Sequence, residues 1–472
     1  MLPSPKNYAV YPSVVPADKP VKMTIVPCGR AFLLVENESY DLTLIDVNGD
    51  EPDYYHLTAH THLTAVAHGG VLQFIYTFPD EQEHVIILSR GGAKLQEFTV
   101  YSLHEDMYGL LPLKGDLHSH SYRSDGKRDP SELAGHFREQ GYDFFALTDH
   151  NRFYPGSEID DTFAGVNLGL IRIRGEEVHA PGSVIHTVHI GGEHSVADIY
   201  VHDRERYEKE ISEYETKVPE DIPEQYHGRY ARAMWVTDHI HRTGGLAIFP
   251  HPFWRPGKSQ MYNVRDEFAK ILLTSGMFDA YELVGGMKQP GNNCSAAMWA
   301  ELRAEAGLKI SVVGSSDVHI TEDSYSFPHL YTICFAKDNS HDAIIEAIRV
   351  GNTVAVEDDG SEYDRQYRCY GSLRLVTYAQ FLLKHFFLER QRICQGEGIA
   401  MRQYAMGAVS AELIELQVEQ SDDYRARFFG RKAPVLPSQK ILKFEDKWRE
   451  VHLNGPITKG GVVYSEEVTR QI

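Results

Sequence analysis

The chain has 472 residues, 42% of them hydrophobic, which is enough for two or three domains that each bury a core. Its 47 basic and 67 acidic side chains give a net charge of −20, which argues against nucleic acid or an anionic membrane as a partner. The five cysteines form no zinc-type pair and are odd in number, so a reducing cytoplasm is expected rather than a disulfide framework. The first residues lack the apolar stretch of a signal peptide, and no later segment is apolar enough to span a bilayer.

Residues 1–112 are predicted to form a β-sandwich domain. Short apolar runs such as VKMTIV, AFLLVE, LTLIDV, VLQFIYTF and HVIILS are separated by polar and glycine-containing breaks. Runs of this length with turn residues between them are typical of antiparallel sandwiches.

Residues 113–356 are predicted to form an α/β layer or barrel, because short apolar runs alternate with helical segments. Asp129 is a predicted N-cap with Pro130 in the first turn of its helix, and Gly141 is predicted to end that helix. Residues 195–228 are charged and rich in tyrosine without strong periodicity, so they are interpreted as an insertion or a lid.

Residues 357–472 are predicted to form a mainly helical C-terminal region with a loop-rich tail. The acidic segment EDDGSEYD, which follows Val356, indicates the boundary between this region and the α/β domain. Apolar residues from Leu373 to Leu388 are roughly in helical phase, and helices are predicted over 371–420. The proline- and glycine-containing end of the chain is predicted to be mostly loop.

Four predicted strands end in ionisable side chains. Alternate residues of a strand share a face, so each set below should point the same way. In chain order the sets are Asp116, His118 and His120; then His150; then His251; then Asp317 and His319. Active sites of parallel α/β barrels gather at the carboxyl ends of the strands. One such histidine would be interpreted as structural, but the whole set predicts a centre for Zn, Mn or Fe, with a carboxylate able to bridge two ions.

The motifs resemble those of the PHP (polymerase and histidinol phosphatase) superfamily of metal-dependent phosphoesterases. The similar segments are DLHSHSYRSDG, ALTDHN, GEEV, HTVHIG, GGLAIFPHP and GSSDVH, and they cover about residues 113–356. A β-domain in front of them is similar to the branch that contains a carbamate-cleaving hydrolase. The resemblance implies a distorted (β/α)7 barrel that binds two or three divalent metal ions.

The resemblance also implies which side chains bind these ions. The first ion would be held by His118, His120 and Asp317. Glu177 would bridge it to a second ion, held also by His186 and His251. A third ion would be held by Asp125, His150 and His319.

The bridging glutamate has a competing neighbour. If Ile171 and Ile173 face the helices, strand alternation places Glu176 in the barrel instead of Glu177. A bulge at Gly175 would reverse this parity, and the resemblance favours Glu177.

His186 has a competitor as well. His186 and His189 lie on opposite faces of a regular strand, and the distance to the glycine that ends the motif favours His186. Three further histidines are assigned a structural or surface role: His179, His239 and His241.

The expected reaction is hydrolysis by a metal-bridging hydroxide without a protein nucleophile. Arg123, Arg152 and Arg255 lie on predicted loops at the site and are candidates for binding a substrate phosphate. Asp116, Asp149 and Glu282 are expected to be hydrogen-bond partners of ligands.

The favoured substrate is a small phosphorylated molecule, either a monoester or a small diester. One alternative is a carboxylic ester, amide or carbamate hydrolysed at the same centre, and a second is a non-enzymatic metal-binding module. A homo-oligomer is possible.

Overall fold

The structure, a computed structural model, describes residues 7–49, 60–153, 157–257, 259–322, 324–361, 365–452, 457–459 and 462–464. The chain forms two compact units, one comprising Gly109–Asp422 and the other Leu2–Tyr108 together with Asp423–Ile472. Within the described residues, no helix has both the length and the apolar character needed to cross a bilayer.

The strands of the described residues are, in chain order, β1 (Tyr8–Tyr11), β2 (Val14–Pro16), β3 (Pro20–Pro27), β4 (Ser39–Asp46), β5 (His60–His68), β6 (Val71–Thr77), β7 (Glu83–Arg90), β8 (Ala93–Leu103), β9 (Leu111–Asp116), β10 (Phe144–Leu147), β11 (Ile171–Val178), β12 (Thr187–Ile190), β13 (Leu246–Phe249), β14 (Ala280–Val284), β15 (Ser311–Gly314), β16 (Leu330–Ala336), β17 (Thr353–Asp358), β18 (Tyr367–Tyr370), β19 (Ile457–Lys459) and β20 (Val462–Tyr464).

The helices are α1 (Glu105–Tyr108), α2 (Pro130–Glu139), α3 (Ser157–Thr162), α4 (Ala197–His202), α5 (Arg204–Glu215), α6 (His227–Arg242), α7 (Asp266–Thr274), α8 (Gln289–Glu305), α9 (His341–Arg349), α10 (Leu373–Leu382), α11 (Leu388–Ala405), α12 (Ala411–Phe428) and α13 (Gln439–His452). Short 3-10 turns lie at Arg30–Phe32 and Glu224–Tyr226, and a π-helical turn at Leu383–Phe387 joins α10 to α11.

The N-terminal unit contains an eight-stranded sheet in the order β1-β3-β6-β5-β4-β7-β8-β2. Its neighbouring strands are antiparallel except for β2 and β8, which are parallel. Four of the five predicted strands are present, but the AFLLVE run begins with a 3-10 turn and then has no regular structure. The sheet is confirmed, whereas a β-sandwich architecture stays a prediction.

The second unit is an α/β domain with a ten-stranded sheet in the order β15-β14-β13-β12-β11-β10-β9-β16-β17-β18. The sheet nearly closes on itself like a barrel. The Thr332 hydroxyl of β16 accepts a hydrogen bond from Gly314 N of β15 at 3.0 Å and lies 2.8 Å from Gly314 O. Thr353 of β17 donates to Val312 O at 2.8 Å. The specific (β/α)7 arrangement stays a prediction.

The two faces of this sheet bury different sets of side chains. Ala146, Ile173, Ile248 and Val313 form an inner cluster with the apolar side of α9. The alternate residues of the same strands pack in a second cluster with the surrounding helices; they include Ala247, Phe249, Tyr281 and Val312. The assumption that Ile171 and Ile173 face the helices is therefore wrong, because both pack with the inner cluster.

Helix α2 begins as the sequence predicts. The Asp129 carboxylate accepts hydrogen bonds from the backbone N–H groups of Ser131 and Glu132, and Pro130 occupies the first helical position. After the helix ends, Gly141 adopts a φ of +78°, the left-handed conformation that glycine tolerates best.

The segment 195–228, interpreted as an insertion or lid, contains α4 and α5. Tyr207, Ile211 and Tyr214 of α5 are buried in the second cluster, the one between the sheet and the surrounding helices. None of its described residues lines the cavity presented below.

The chain after residue 356 differs from the prediction in two respects. The predicted helices are present as α10, α11 and α12, but α10 and α11 belong to the same compact unit as the α/β sheet. The tail predicted as mostly loop contains α13 and the β19–β20 hairpin.

Close packing explains why α11 stays with the α/β sheet. Helix α11 crosses α2 where Gly398 approaches Gly135, and a Cβ at either position would collide with the opposite helix. Beside this contact the Arg138 guanidinium donates to the Glu397 carboxylate, with Nε 2.6 Å from Oε2, and both side chains are fully buried. Glu397 also accepts from Gly169 N at 2.8 Å.

Replacing Glu397 with glutamine should destabilise this unit by about 3–5 kcal/mol, because it removes the nearest counter-charge of the buried Arg138 guanidinium and leaves only Asp143, 3.8 Å away. Urea unfolding of the variant and the wild type measures the difference. Glu389→Gln in the same helix is the control. It removes an exposed pair with Arg392 and should cost about 0–1 kcal/mol. Equal effects of the two substitutions would contradict a role of the buried pair.

Candidate metal centre

The site lies at one end of the α/β sheet, where six strands deliver donor side chains. His118, His120 and Asp125 follow β9, and His150 follows β10. Glu177 lies in β11, and His251 follows β13. Asp317 and His319 follow β15. Because β12 runs antiparallel to β11 and β13, His186, which precedes it, lies at the same end.

Turns of the backbone bring some of these donors inward. His251 and Asp317 have φ values of +27° and +51°, in a region that residues other than glycine rarely adopt. The alternation of side chains in β13 and β15 therefore does not extend to His251 and Asp317, although the sequence-based prediction assumed that it does. Such backbone conformations persist where the surrounding structure holds them, and they cluster at functional sites.

The Glu177 carboxylate is the centre of the cluster, and its two oxygens face different imidazoles. Oε1 lies 2.8 Å from His186 Nδ1 and 3.2 Å from His251 Nε2. Oε2 lies 2.7 Å from His150 Nδ1, and 3.4 Å and 3.5 Å from Nε2 of His118 and His120. A carboxylate in this position can bridge two ions.

Two further carboxylates complete the cluster. Asp317 Oδ1 lies 3.0 Å from His120 Nε2 and 3.4 Å from His118 Nε2. Asp125 lies 3.2 Å from His319 Nε2 and 3.4 Å from His150 Nε2. All nine predicted ligands are thus brought together, in overlapping groups whose donor atoms lie within 4.8 Å of one another.

Several donor atoms fit a bound cation better than a hydrogen bond. The buried atoms of the cluster that form no hydrogen bond of suitable geometry are His118 Nε2, His120 Nε2, His150 Nδ1, His179 Nε2, His251 Nδ1 and Glu177 Oε2. His150 Nδ1 and Glu177 Oε2 face each other at 2.7 Å without forming one. Leaving such an atom unsatisfied costs about 1–3 kcal/mol. Two ligands of a tetrahedral zinc lie about 3.4 Å apart, which is close to the 3.2–3.5 Å that separate Glu177 from His251, His118 and His120. The mixed nitrogen and oxygen donors therefore suit divalent Zn, Mn or Fe.

A buried carboxylate orients the first histidine. His118 Nδ1 lies 2.9 Å from Glu282 Oε2, so the ring donates there and turns Nε2 towards the cluster. Asp116 accepts hydrogen bonds from the backbone of His118 and Ser316, both at 3.1 Å, and joins the loops after β9 and β15. Asp149 accepts from Ser121 N at 2.8 Å. None of these three acids belongs to the ligand groups of the described residues. Asp116 and Glu282 contact the predicted ligand His118, whereas Asp149 accepts from Ser121 and Ser124, which are not predicted ligands.

The two adjacent glutamates point to opposite faces of β11. Glu177 shares the inner face with Ile173, so it reaches the cluster by simple alternation and needs no bulge at Gly175. Glu176 points away and accepts from Val196 N at 2.6 Å. The preference for Glu177 agrees with this placement, although the reasoning from Ile173 was wrong.

The two histidines of HTVHIG are separated in the same way. His186 lies in the cluster, while His189 is fully buried outside it. The His189 ring contacts Glu176 Oε1 at 3.2 Å and Thr243 Oγ1 at 3.0 Å, so both of its nitrogens have protein partners.

His179 is a donor that the sequence reasoning missed. Its Nε2 lies 3.5 Å from Glu177 Oε2, and it forms a group with His150 and Glu177. The signal was available, because His179 follows Glu177 by two residues at the end of a strand.

The cluster forms one wall of a cavity of about 500 Å³. Besides the donors, the described lining consists of Trp254, Gly286, Ile320, Glu322, Ser324, Tyr325 and Ser326. No lysine or arginine is among these described lining residues, whose carboxylates belong to Asp125, Glu177, Asp317 and Glu322.

The three arginines predicted to bind a substrate phosphate are not among the described residues that line the cavity. Arg123 pairs with Glu158 at 2.8 Å, and Arg255 lies over the Tyr262 ring at 4.9 Å. Arg152 is exposed. A phosphate role for them stays a prediction.

The charged side chains of the cluster shift one another's pKa values. Burial lowers the pKa of His118, but the carboxylates of Asp317, Glu177 and Glu282 outweigh burial and raise this pKa well above its usual value. Burial raises the pKa of Glu177, but the facing histidines, led by His118, hold it well below its usual value. Burial lowers the pKa of His186 to about 4. The metal-free cluster therefore keeps Glu177 ionised and His118 protonated.

Comparisons with known proteins give partial similarities. No family model matches the chain. A segment of 85 residues is 35% identical to the DNA polymerase/3'-5' exonuclease PolX of Bacillus subtilis. This segment spans 17% of the chain and 15% of that relative.

Three solved structures match part of the chain. A two-domain protein from Bacteroides vulgatus, described as containing a predicted PHP-like metal-dependent phosphoesterase, is 20% identical, with a TM-score of 0.35, over 52% of this chain and 65% of that one. A protein from Bifidobacterium adolescentis described as a metal-dependent phosphoesterase is 17% identical, with a TM-score of 0.30, over 43% and 87%. An amidohydrolase from Chromobacterium violaceum with bound sulfate is 17% identical, with a TM-score of 0.30, over 45% and 89%.

Two of these structures are described as containing or being metal-dependent phosphoesterases, the class that the motifs of this chain resemble. The identities to the solved structures are below 25% and the TM-scores below 0.5, so the function is argued from the side chains of the site.

Metal affinity should rise with pH. The raised pKa of His118 means that the metal-free protein holds a proton on a ring that must lose it to bind an ion. Titration calorimetry with Zn²⁺ in buffers of different protonation heat should show proton release at pH 7, and the release should shrink as pH rises through this pKa. Binding without proton release would contradict the assigned protonation of His118.

Replacing Glu282 with glutamine should weaken metal binding about 10–100-fold, because the carboxylate orients His118. A chelator competition assay measures the affinity. Glu301→Gln is the control, since Glu301 pairs with Lys270 on the surface. If the two variants bound metal equally well, Glu282 would have no orienting role.

Proposed function

We propose that the chain is a metal-dependent hydrolase that cleaves a phosphoester, either a monoester or a small diester, of a small molecule. The main support is the convergence of Glu177 with the eight other predicted nitrogen and oxygen ligands, with buried donor atoms that lack hydrogen-bonding partners. When bound, two or three divalent ions supply a water that ionises near neutral pH and neutralise charge on the scissile group.

In this proposal the side chains of the site bind and orient the metal ions. Glu177 connects the two sides of the cluster, and Glu282 keeps His118 Nε2 directed inward. No protein nucleophile is required. No cysteine of the described chain lines the cavity, and burial raises the pKa of Cys369 to about 12.

We favour a small molecule over nucleic acid as the substrate, because the chain carries a net charge of −20 and acidic side chains line the cavity. Trp254, Ile320 and Tyr325 give the substrate an apolar and aromatic wall. A cytoplasmic location and a possible homo-oligomer stay predictions.

The composition of the cavity favours a second candidate reaction. Phosphoester sites commonly use arginine or lysine to grip the phosphate, and the described lining has neither. The same centre could therefore act on a carboxylic ester, an amide or a carbamate, whose scissile group carries less charge. The alternative of a non-enzymatic metal-binding module is less well supported, because all nine predicted donors are present and line or adjoin an open cavity.

The direct test is hydrolysis by purified protein after metal analysis, with Zn, Mn or Fe added back and a panel of phosphomonoesters, phosphodiesters, carboxylic esters and amides. His118→Ala should abolish turnover, with a loss of at least about 1000-fold, because it removes a ligand. His202→Ala is the control, since that ring is 74% exposed. Circular dichroism should show both variants folded, and retained activity of His118→Ala would contradict the proposal.

Competition by inorganic phosphate separates the two candidate reactions. Inorganic phosphate is the product of monoester hydrolysis and resembles the phosphomonoester product of diester hydrolysis, so it should inhibit either phosphoester reaction competitively. Weak inhibition together with turnover of an ester or amide would favour the second reaction.

A further inference from the structure

His179 has a donor atom in the cluster but no counterpart among the nine ligands that the motifs imply. We propose that His179 binds a divalent ion together with His150 and Glu177. This inference rests on the proposed metal centre and adds a tenth ligand to it.

The backbone holds His179 beside the loop that carries His150. His179 N donates to the Asn151 side-chain oxygen at 2.7 Å, and the Tyr200 hydroxyl donates to the same oxygen at 2.7 Å. Asn151 N in turn donates to Glu177 O at 2.9 Å. Asn151 is left-handed, with a φ of +54°. These bonds fix the spacing between His150, Glu177 and His179 without any ion.

The His179 ring presents a nitrogen to the cluster rather than to water. Its Nε2 is buried and has no hydrogen-bonding partner, although 30% of the side chain is exposed. The nearest carboxylate oxygen, Glu177 Oε2, is 3.5 Å away. This distance is too long for a good hydrogen bond and close to the separation of two ligands on one ion.

The neighbouring rings restrict how His179 can turn. It stacks on His186 with ring centroids 3.6 Å apart at 26°, and the His150 ring lies 4.4 Å away. Both neighbours offer their own nitrogens to Glu177. A ring held between these two predicted ligands is preorganised as a further donor, and its Nε2 lies near the same carboxylate oxygen, Oε2, as His150 Nδ1.

The test compares metal uptake by His179→Ala and His179→Phe, using full-length protein stripped with a chelator and titrated with Co²⁺. Phenylalanine keeps a ring against His186 but removes the nitrogen. Both variants should bind at least one ion about 10–100-fold more weakly than the wild type and change the visible Co²⁺ spectrum. His202→Ala, which removes an exposed imidazole, should match the wild type.

Three outcomes would overturn the inference. Wild-type affinity and spectrum in both variants would show that His179 is not a ligand. A defect in His179→Ala that His179→Phe restores would show that the ring only packs. If the wild-type protein itself bound no Co²⁺, the proposed function would fail together with this inference, whereas in the first two outcomes it would stand.

Discussion

The arrangement of the site depends on one buried carboxylate. Glu177 is 1% exposed and is surrounded by imidazoles from loops and strands far apart in sequence. A buried carboxylate without a compensating charge is strongly unfavourable, and so is a set of buried imidazoles without partners. The cluster is stable when positive charge is supplied inside it, by a protonated His118 in the metal-free protein and by cations in the loaded one.

The α/β sheet makes this concentration of donors possible. One face buries small and branched residues against α9, and the other packs against the surrounding helices. Because the sheet nearly closes through Thr332 and Gly314, the ends of distant strands meet at one mouth. Left-handed residues such as His251 and Asp317 then turn the chain so that donors enter the cavity instead of following the strands.

Much of the site could be predicted because its ligands lie in short sequence motifs. Histidines and carboxylates directly after apolar runs indicated the end of the sheet where they gather, and the motifs named nine of the ten clustered residues. Strand orientation could not be predicted in the same way. Ile173 is apolar and fits either face, so choosing the wrong face reversed the expected parity of Glu176 and Glu177.

Other features depend on contacts that local sequence does not reveal. The pairing of Arg138 with Glu397 joins residues distant in the chain, so the helices after residue 356 were expected to form a separate region. The role of His179 was missed because an isolated histidine usually has a structural role. The arginines were placed correctly on loops near strand ends, but only tertiary structure shows which loop residues line the cavity.

The central claim is that these strands deliver their donors to shared divalent ions. Anomalous diffraction from crystals grown with Zn²⁺, collected at the zinc absorption edge, locates such ions directly. We expect two or three peaks within the cluster, with at least one about 2.0–2.2 Å from a Glu177 oxygen. An anomalous map with no peak in the cluster, or with zinc bound only elsewhere, would contradict the account.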